Sequence, residues 1–446
     1  MKKLIALFLA ALMLVSLVAC GEKAPEEPEG PITITVWTCN SGDTGEWLTQ
    51  AAARFNESQD KYIVEQSYAG SYSAVLPTLS ATTGEWPDIF HSDTESAYTY
   101  YLMKDKYVPI QKYIDEDKHD MSAIMGNLAS TYSDAEGNWQ CMPLGNTVTG
   151  FFYNPVLLEQ AGVSPDTDLG SYEEITAACR KLKAIGVESP FYLHTSSGFY
   201  SFPMTAQGIQ YVDNNNGKDG APTKSLIGEP GECRDATIDF FQNIKTMKAE
   251  GLMVTFGTTP GDGRAQFDEG KCAIMCAFIS GFNTVYNAVD GKFPVAFHTA
   301  PTINKGAKNV GQCTGGGCLF LANNNNPAKE RGAWEFMKFL TNDENTVGYA
   351  KVSGYLPIST TGAATQEYKD FMATKFPTAQ QSLDAQAATP PTTYNAWLPM
   401  FNDFHALCKQ YYGVAYDNDA LSAEEITDQF AKAVDEAIEM WNLSQG

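Results

Sequence analysis

Basic residues are scarce in this 446-residue chain: 30 Lys and Arg stand against 53 Asp and Glu, a formal net charge of −23. Removal of Lys2 and Lys3 with a leader would make the balance more negative still. Such a field excludes nucleic acid and anionic lipid as electrostatic partners, although a local pocket can oppose it. Histidine is sparse too. His91, His119, His194, His298 and His405 are scattered, with no metal-ligand spacing. There is no H-E-x-x-H and no G-x-S-x-G. The segment Gly261–Lys271 carries Ala265 where a P-loop needs glycine, so it is no nucleotide site. No catalytic residue, cofactor or metal is therefore expected. Acidic residues are plentiful, so a carboxylate pair for glycoside hydrolysis stays open. No internal repeat is visible.

A spanning segment is also missing. The apolar run Leu4–Ala19 has sixteen residues, short of the about 20 a membrane helix needs. Preceded by Lys2 and Lys3, it suits the h-region of a signal peptide over 1–19. The run ends Leu17-Val18-Ala19-Cys20-Gly21, which resembles a bacterial lipobox. That resemblance implies lipidation of Cys20, and two acyl chains suffice for stable anchoring on the outer face of a cell membrane. Residues 20–31 are acidic and rich in Pro and Gly, a solvated tether.

Nine cysteines remain once Cys20 is set aside, an odd number for an exported chain. Cys272/Cys276 and Cys313/Cys318 do not match paired C-x₂-C zinc spacing. Core thiols, one or two disulfides and a metal site all remain open. Cys272–Phe278 reads as a buried strand, in which Cys behaves as a small hydrophobe.

What is present is 43% hydrophobic residues, 12% aromatics and length enough for a large core. Ile32–Trp37 alternates as a strand, and Trp47, Leu48, Ala51 and Phe55 mark a helix over about 44–56. A strand at Tyr62–Val64, a helix at Tyr72–Ala81 and a strand at Pro87–Phe90 follow. This alternation predicts an α/β chain with an open, largely parallel sheet, whose ligands sit beyond the carboxyl ends of the strands. Residues 94–140 read as mostly helical, and Thr147–Asn154 as a strand opening a new unit. Ser171 with Glu174, Asn326 with Pro327, Thr341 with Glu344, and Ser422 with Glu425 predict helix starts. Phe293–Pro301 reads as an extended return. The polar run Asp213–Gly220 reads as a surface turn: a calcium loop would need Gly at Lys218 and Glu at Lys224. Gly354 frees the backbone after a helix, and Pro357 forces Leu356 out of helical conformation.

Several phrases carry a resemblance. They are Phe152-Tyr153-Asn154 before Ala161-Gly162, the stretch Gly270–Met275, the Gly315–Gly317 run, and Gly354-Tyr355-Leu356-Pro357-Ile358. Together they resemble the extracellular solute-binding proteins of ABC importers, in particular sugar-binding and glycerol-3-phosphate-binding members of family 1. The resemblance implies a two-lobed periplasmic-binding-protein-like fold with a three-segment hinge. Lobe 1 would hold 32–147 plus 298–353 and lobe 2 would hold 150–295 plus 357–446. The hinge would lie near 147–150, 295–298 and 353–357. It further implies a monomer that binds a sugar or other small polar ligand and presents it to ABC permease transmembrane subunits.

A sugar needs a ring to stack on and polar groups for its hydroxyls. Trp37, Tyr72, Phe199 and Tyr355 are the candidate rings. Asn40, Asp93 and Asn146 are the candidate hydrogen-bonding groups, and Gly315 and Gly316 would expose bare N–H groups. The resemblance to glycerol-3-phosphate binders places Tyr72, Ser280, Gly315 and Tyr355 at the ligand, with Asn146 or Thr147. Those binders also carry an Arg close to Tyr394, where this chain has none and offers Tyr394 and Trp397 instead. A buried phosphate favours a guanidinium fork. A neutral oligosaccharide is thus the first expectation, a glycerol-3-phosphate or glycerophosphodiester the second, and a surface glycosidase the third.

Overall fold

The computed structural model describes residues 30–103, 105–253 and 260–445. The leader, Cys20 and most of the tether lie outside the described residues. Ten strands run through the described residues. They are β1 (Ile32–Thr38), β2 (Tyr62–Tyr68), β3 (Ile89–Asp93), β4 (Tyr107–Val108), β5 (Met142–Pro143), β6 (Thr149–Tyr153), β7 (Ser189–Tyr192), β8 (Cys272–Phe278), β9 (Ala296–Thr299) and β10 (Gly317–Ala322). They form two sheets. The first has the order β2-β1-β3-β10-β4, with β5 also on β10; the second has the order β7-β8-β6-β9.

In the first sheet β1 pairs in parallel with β2 and β3, as the strand–helix alternation requires. β10 is antiparallel to β3, so Gly317 faces Asp93. The helix Gly42–Ser58 buries Leu48, Ala51, Ala52 and Phe55 on this sheet. Phe55 meets Phe336 and Phe339 of the helix Pro327–Leu340 edge-on, at 5.2 and 5.4 Å between centroids. Asn326 caps that helix through Lys329 N. The following helix, Asp343–Ser353, is capped by Asn342 rather than by Thr341: the Asn342 carboxamide accepts from Asn345 N at 2.8 Å.

The second sheet is mainly antiparallel around β6. Gly150 of β6 is obligatory, since a Cβ there would stand 2.0 Å from the His298 carbonyl. The helices Glu232–Ala249, Phe401–Asp417 and Ala423–Gln445 pack together beside it through Phe240, Phe404 and Phe430. Ser422 and Glu425 form the reciprocal cap of the last helix.

Two boundaries differ from the sequence expectation. β9 pairs with β6, so the extended run at 295–298 is a strand of the second sheet and not a crossing. The chain stays there through Thr302, which bonds Gly170 and Tyr172, and returns only at Gly315. Residues beyond 357 also remain with the first side for a while: Ile358 accepts from Met125 N, and Thr360 donates to Ala123. Thr378 and the helix Ala379–Ala387 then reach β9.

The three passages between the sheets meet at Asn146 and Thr147. Gly315 N donates to Thr147 O at 2.8 Å, and Leu356 N donates to Asn146 O at 2.8 Å. The Asn146 carboxamide completes the knot. It donates to Pro357 O and Gln386 Oε1, both at 3.1 Å, and accepts from Thr314 Oγ1 and Asn127 Nδ2, both at 3.2 Å.

Candidate functional site

The carboxyl ends of β1 and β3 deliver Cys39, Asn40, His91 and Asp93 to one place. Cys39 N donates to His91 Nδ1 at 3.3 Å, so that nitrogen is the acceptor and Nε2 carries the ring proton. His91 Nε2 lies 3.2 Å from the Tyr72 hydroxyl and donates to it. Burial holds His91 neutral, with its pKa lowered to about 3. The Tyr72 and Tyr355 hydroxyls lie in each other's electrostatic field.

Tyr355 is half-buried on a floor of glycine. A Cβ on Gly145 would meet its ring at 3.0 Å, and one on Gly316 would meet it at 3.2 Å. Gly316 takes φ +110°, which favours glycine. Tyr349 lies beside Tyr355 at 5.8 Å and donates to Asn40 Oδ1 at 3.1 Å.

Asp93 caps the helix Thr94–Leu102 by accepting from Ser96 N at 2.9 Å. Glu95 stands in the first turn of that helix, half-buried, with no side-chain hydrogen bond or ion pair among the described residues. Burial, and then the charge of Asp93, push Glu95 up to about 8. Burial also raises Asp93.

A second station lies further along the same helix. Trp397 packs on Tyr101 at 4.3 Å and on Tyr98 at 5.7 Å. These three rings line a cavity of about 380 Å³ together with Gln140, Lys218 and Pro399. A neighbouring cavity of about 580 Å³ is lined by Trp139, Asn215 and Tyr394, and shares Asp134, Ala135 and Lys218 with the first. Lys218 follows a tight turn in which Asn214, Asn215 and Asn216 take φ of +52°, +53° and +57°. Asn tolerates this left-handed region better than most residues. Its ammonium sits 4.2 Å from the Tyr394 ring centroid and 5.5 Å from that of Trp397. Burial lowers the Lys218 pKa to about 8.

The expected site residues thus divide. Tyr72, Asp93, Gly316, Tyr355 and Asn40 come together at the first station, and Tyr394 and Trp397 at the second. Trp37 is half-buried against the core of the first sheet. Phe199 lies in the core of the second sheet, edge-on to Phe278 at 5.6 Å. Asn146 is fully enclosed and its carboxamide is occupied by protein partners, so it stands in the crossing rather than in the cleft. Gly315 does not offer a bare N–H, because Thr147 O takes it. Ser280 N donates to Thr147 Oγ1 at 3.2 Å, beside the crossing. Tyr98, Tyr101 and Lys218 were not among the expected ligand groups, and Lys218 had only the Asn-Asn-Asn-Gly turn before it. His91 and Glu95 flank the expected Asp93. The nine described cysteines are buried, free thiols. No cluster able to hold a metal occurs among the described residues.

A family model described as bacterial extracellular solute-binding protein matches residues 50–378. The chain belongs to this family. The solute-binding protein is 25% identical over 377 residues to the sn-glycerol-3-phosphate-binding periplasmic protein of Yersinia enterocolitica, covering 83% of each chain. Its fold is similar to that of the sugar-binding protein MalE from Xanthomonas citri, with a TM-score of 0.75 at 15% identity over 93% of this chain and 100% of that one. It is also similar to UgpB from Mycobacterium tuberculosis, solved with glycerophosphocholine, with a TM-score of 0.71 at 17% identity over 93% of this chain and 100% of that one. Both likenesses place the two sheets in the architecture of periplasmic binding proteins. No helix among the described residues is long and apolar enough to cross a membrane.

Proposed function

We propose that this solute-binding protein captures a carbohydrate, an oligosaccharide long enough to reach from Tyr355 to Trp397, and delivers it to an ABC permease. The observation that carries the reading is the Tyr355 ring, half-buried on the Gly145 and Gly316 floor. Polar groups of Asn40, Tyr72 and Asp93 gather at the same station, and a ring with polar groups beside it is the complement of a sugar's apolar face and hydroxyl rim. The Tyr98–Tyr101–Trp397 cluster supplies a second apolar surface, and about 380 Å³ beside it suits a sugar ring. The protein acts by binding: closure about the Asn146 knot favours one conformer when the ligand touches both sides. A thermal-shift panel of maltose, cellobiose, xylobiose and longer oligomers tests this, and a panel without any stabilising sugar refutes it.

A second reading has one observation in its favour. The chain has no Arg near Tyr394, yet Lys218 places a cation over that ring. A glycerol-3-phosphate or glycerophosphodiester could use it. Against this, the ammonium already donates to Ser130 O at 2.7 Å and is faced by Asp134 and Asp219. Anchoring through Cys20 is part of the proposal. Cys20→Ala is expected to move the protein from the membrane fraction to the soluble one.

A further inference from the structure

The end of the first sheet that faces away from the cleft carries a groove of its own. β10 runs from Gly317, opposite Asp93, to Ala322, whose N–H donates to Asp88 O. At about 3.4 Å per residue, about 17 Å of strand separates this end from the cleft. Beyond Ala322 the run Asn323-Asn324-Asn325 lies beside Gly84-Glu85-Trp86, the segment that leads into β3. Between them is a groove of about 480 Å³, open to solvent and lined by Thr83, Trp86, Lys106 and the three asparagines. Hydrogen bonds beneath hold it in shape. Asn324 Nδ2 donates to Trp86 O at 2.9 Å and to Asp88 Oδ1 at 3.1 Å. Asn323 N donates to Lys106 O at 2.9 Å, and Asn323 Nδ2 donates to Asp105 O at 3.1 Å. The half-buried Trp86 ring meets Phe90 edge-on at 5.6 Å. The Trp86 indole N–H, the Thr83 hydroxyl and the Asn325 carboxamide have no hydrogen-bond partner among the described residues.

We propose that this groove is a second carbohydrate site, separate from the transport cleft, which holds a segment of a neutral polysaccharide. An indole beside carboxamides and a hydroxyl offers a ring for the C–H face of a sugar, and donors and acceptors for its hydroxyls. The charge balance agrees. Glu85 and Lys106 are the charged groups among the described lining residues and they cancel, in a chain whose net charge of −23 repels polyanions. A groove already held by the Asn323 and Asn324 bonds loses little freedom on binding. Because it is open, it leaves one side of a sugar in water, so a single sugar binds weakly. A polymer presents the same unit repeatedly and raises its effective concentration at the groove. This site does not depend on what the cleft binds.

Native affinity electrophoresis of the full-length protein, in gels cast with soluble starch, xyloglucan, galactomannan or dextran, tests the proposal. At least one of the four is expected to retard the wild type. Trp86→Ala is expected to weaken that interaction about tenfold or more, and Asn325→Gly at least about threefold. Tyr355→Ala, altered in the cleft, is expected to be retarded as the wild type is. Asn325 stands at φ +53°, which glycine accepts, so Asn325→Gly decides the matter if Trp86→Ala fails to fold. No retardation by any of the four overturns the proposal, as does retardation that survives in both groove variants. Retardation lost in Tyr355→Ala and kept in the groove variants assigns the polymer to the cleft and overturns it too. Retardation by polygalacturonate alone would show that the groove does not select a neutral chain.

Discussion

The Lys218 ammonium donates to the Ser130 carbonyl at 2.7 Å and so ties a turn bonded to Trp397 to the helix Gly126–Tyr132 on the other side of the cleft. Because this lysine is desolvated, its pKa falls from 10.5 to about 8. Between those values the unfolded chain binds more protons than the folded one, so folding gains stability as pH rises from about 8 to 10.5. Below about 8 the cost of the buried charge is fully present. Lys218→Met is expected to lose this increment. The check is the difference in melting temperature between variant and wild type at pH 8 and pH 10, which should shift in favour of the wild type at the higher pH.

Glu95 gives the opposite slope. Its folded pKa, about 8, stands above the ordinary 4.5, so stability is lost as pH rises from about 4.5 to 8. Glu95→Gln, neutral throughout, is expected to melt higher than wild type at pH 8.5 and close to it at pH 4.5. A constant offset at both pH values would show that the carboxyl does not titrate as burial requires.

The crossing gives a mechanical prediction. Gly354 takes φ +82°, and a Cβ there would stand 2.6 Å from the Ser280 carbonyl. Gly354→Ala is therefore expected to destabilise the protein by about 1–3 kcal/mol. Asn146→Ala strips the side-chain hydrogen bonds to Met125, Asn127, Thr314, Pro357 and Gln386. It should lower the denaturant midpoint by a similar or larger margin. Chemical denaturation of both variants checks this; wild-type midpoints would remove Asn146 from the role of knot.

The thiols predict a redox behaviour. Burial pushes Cys39, Cys233 and Cys272 each up to about 12, and all nine are enclosed. Native protein should react negligibly with a thiol reagent at pH 8, and denatured protein should expose all nine without reduction. Fewer thiols after denaturation would mean disulfides.

Much of the first sheet was legible because local periodicity and folded partner agree. The helix Tyr72–Ala81 lies where its apolar spacing put it, and Gly354 ends its helix in the left-handed conformation that the absence of a Cβ allows. The second crossing was not legible. Phe293–Pro301 alternates as any strand does, and nothing local in it distinguishes pairing with β6 from a return to the first sheet. Asn146 looked like an exposed polar group because its partners, Thr314, Pro357 and Gln386, are remote in sequence. Lys218 was hidden for the same reason: its meeting with Tyr394 depends on a turn of three left-handed asparagines that brings distant segments together.

The central claim is that Tyr355 holds a carbohydrate at the meeting of the three passages. Isothermal titration of wild type and Tyr355→Ala with the same oligosaccharide tests it most directly. The ring is half-buried, so the variant should melt within a few degrees of wild type while binding at least about tenfold more weakly. Unchanged sugar affinity in a destabilised variant would return Tyr355 to the core. Heat from a glycerophosphodiester with none from any sugar would contradict the carbohydrate reading itself.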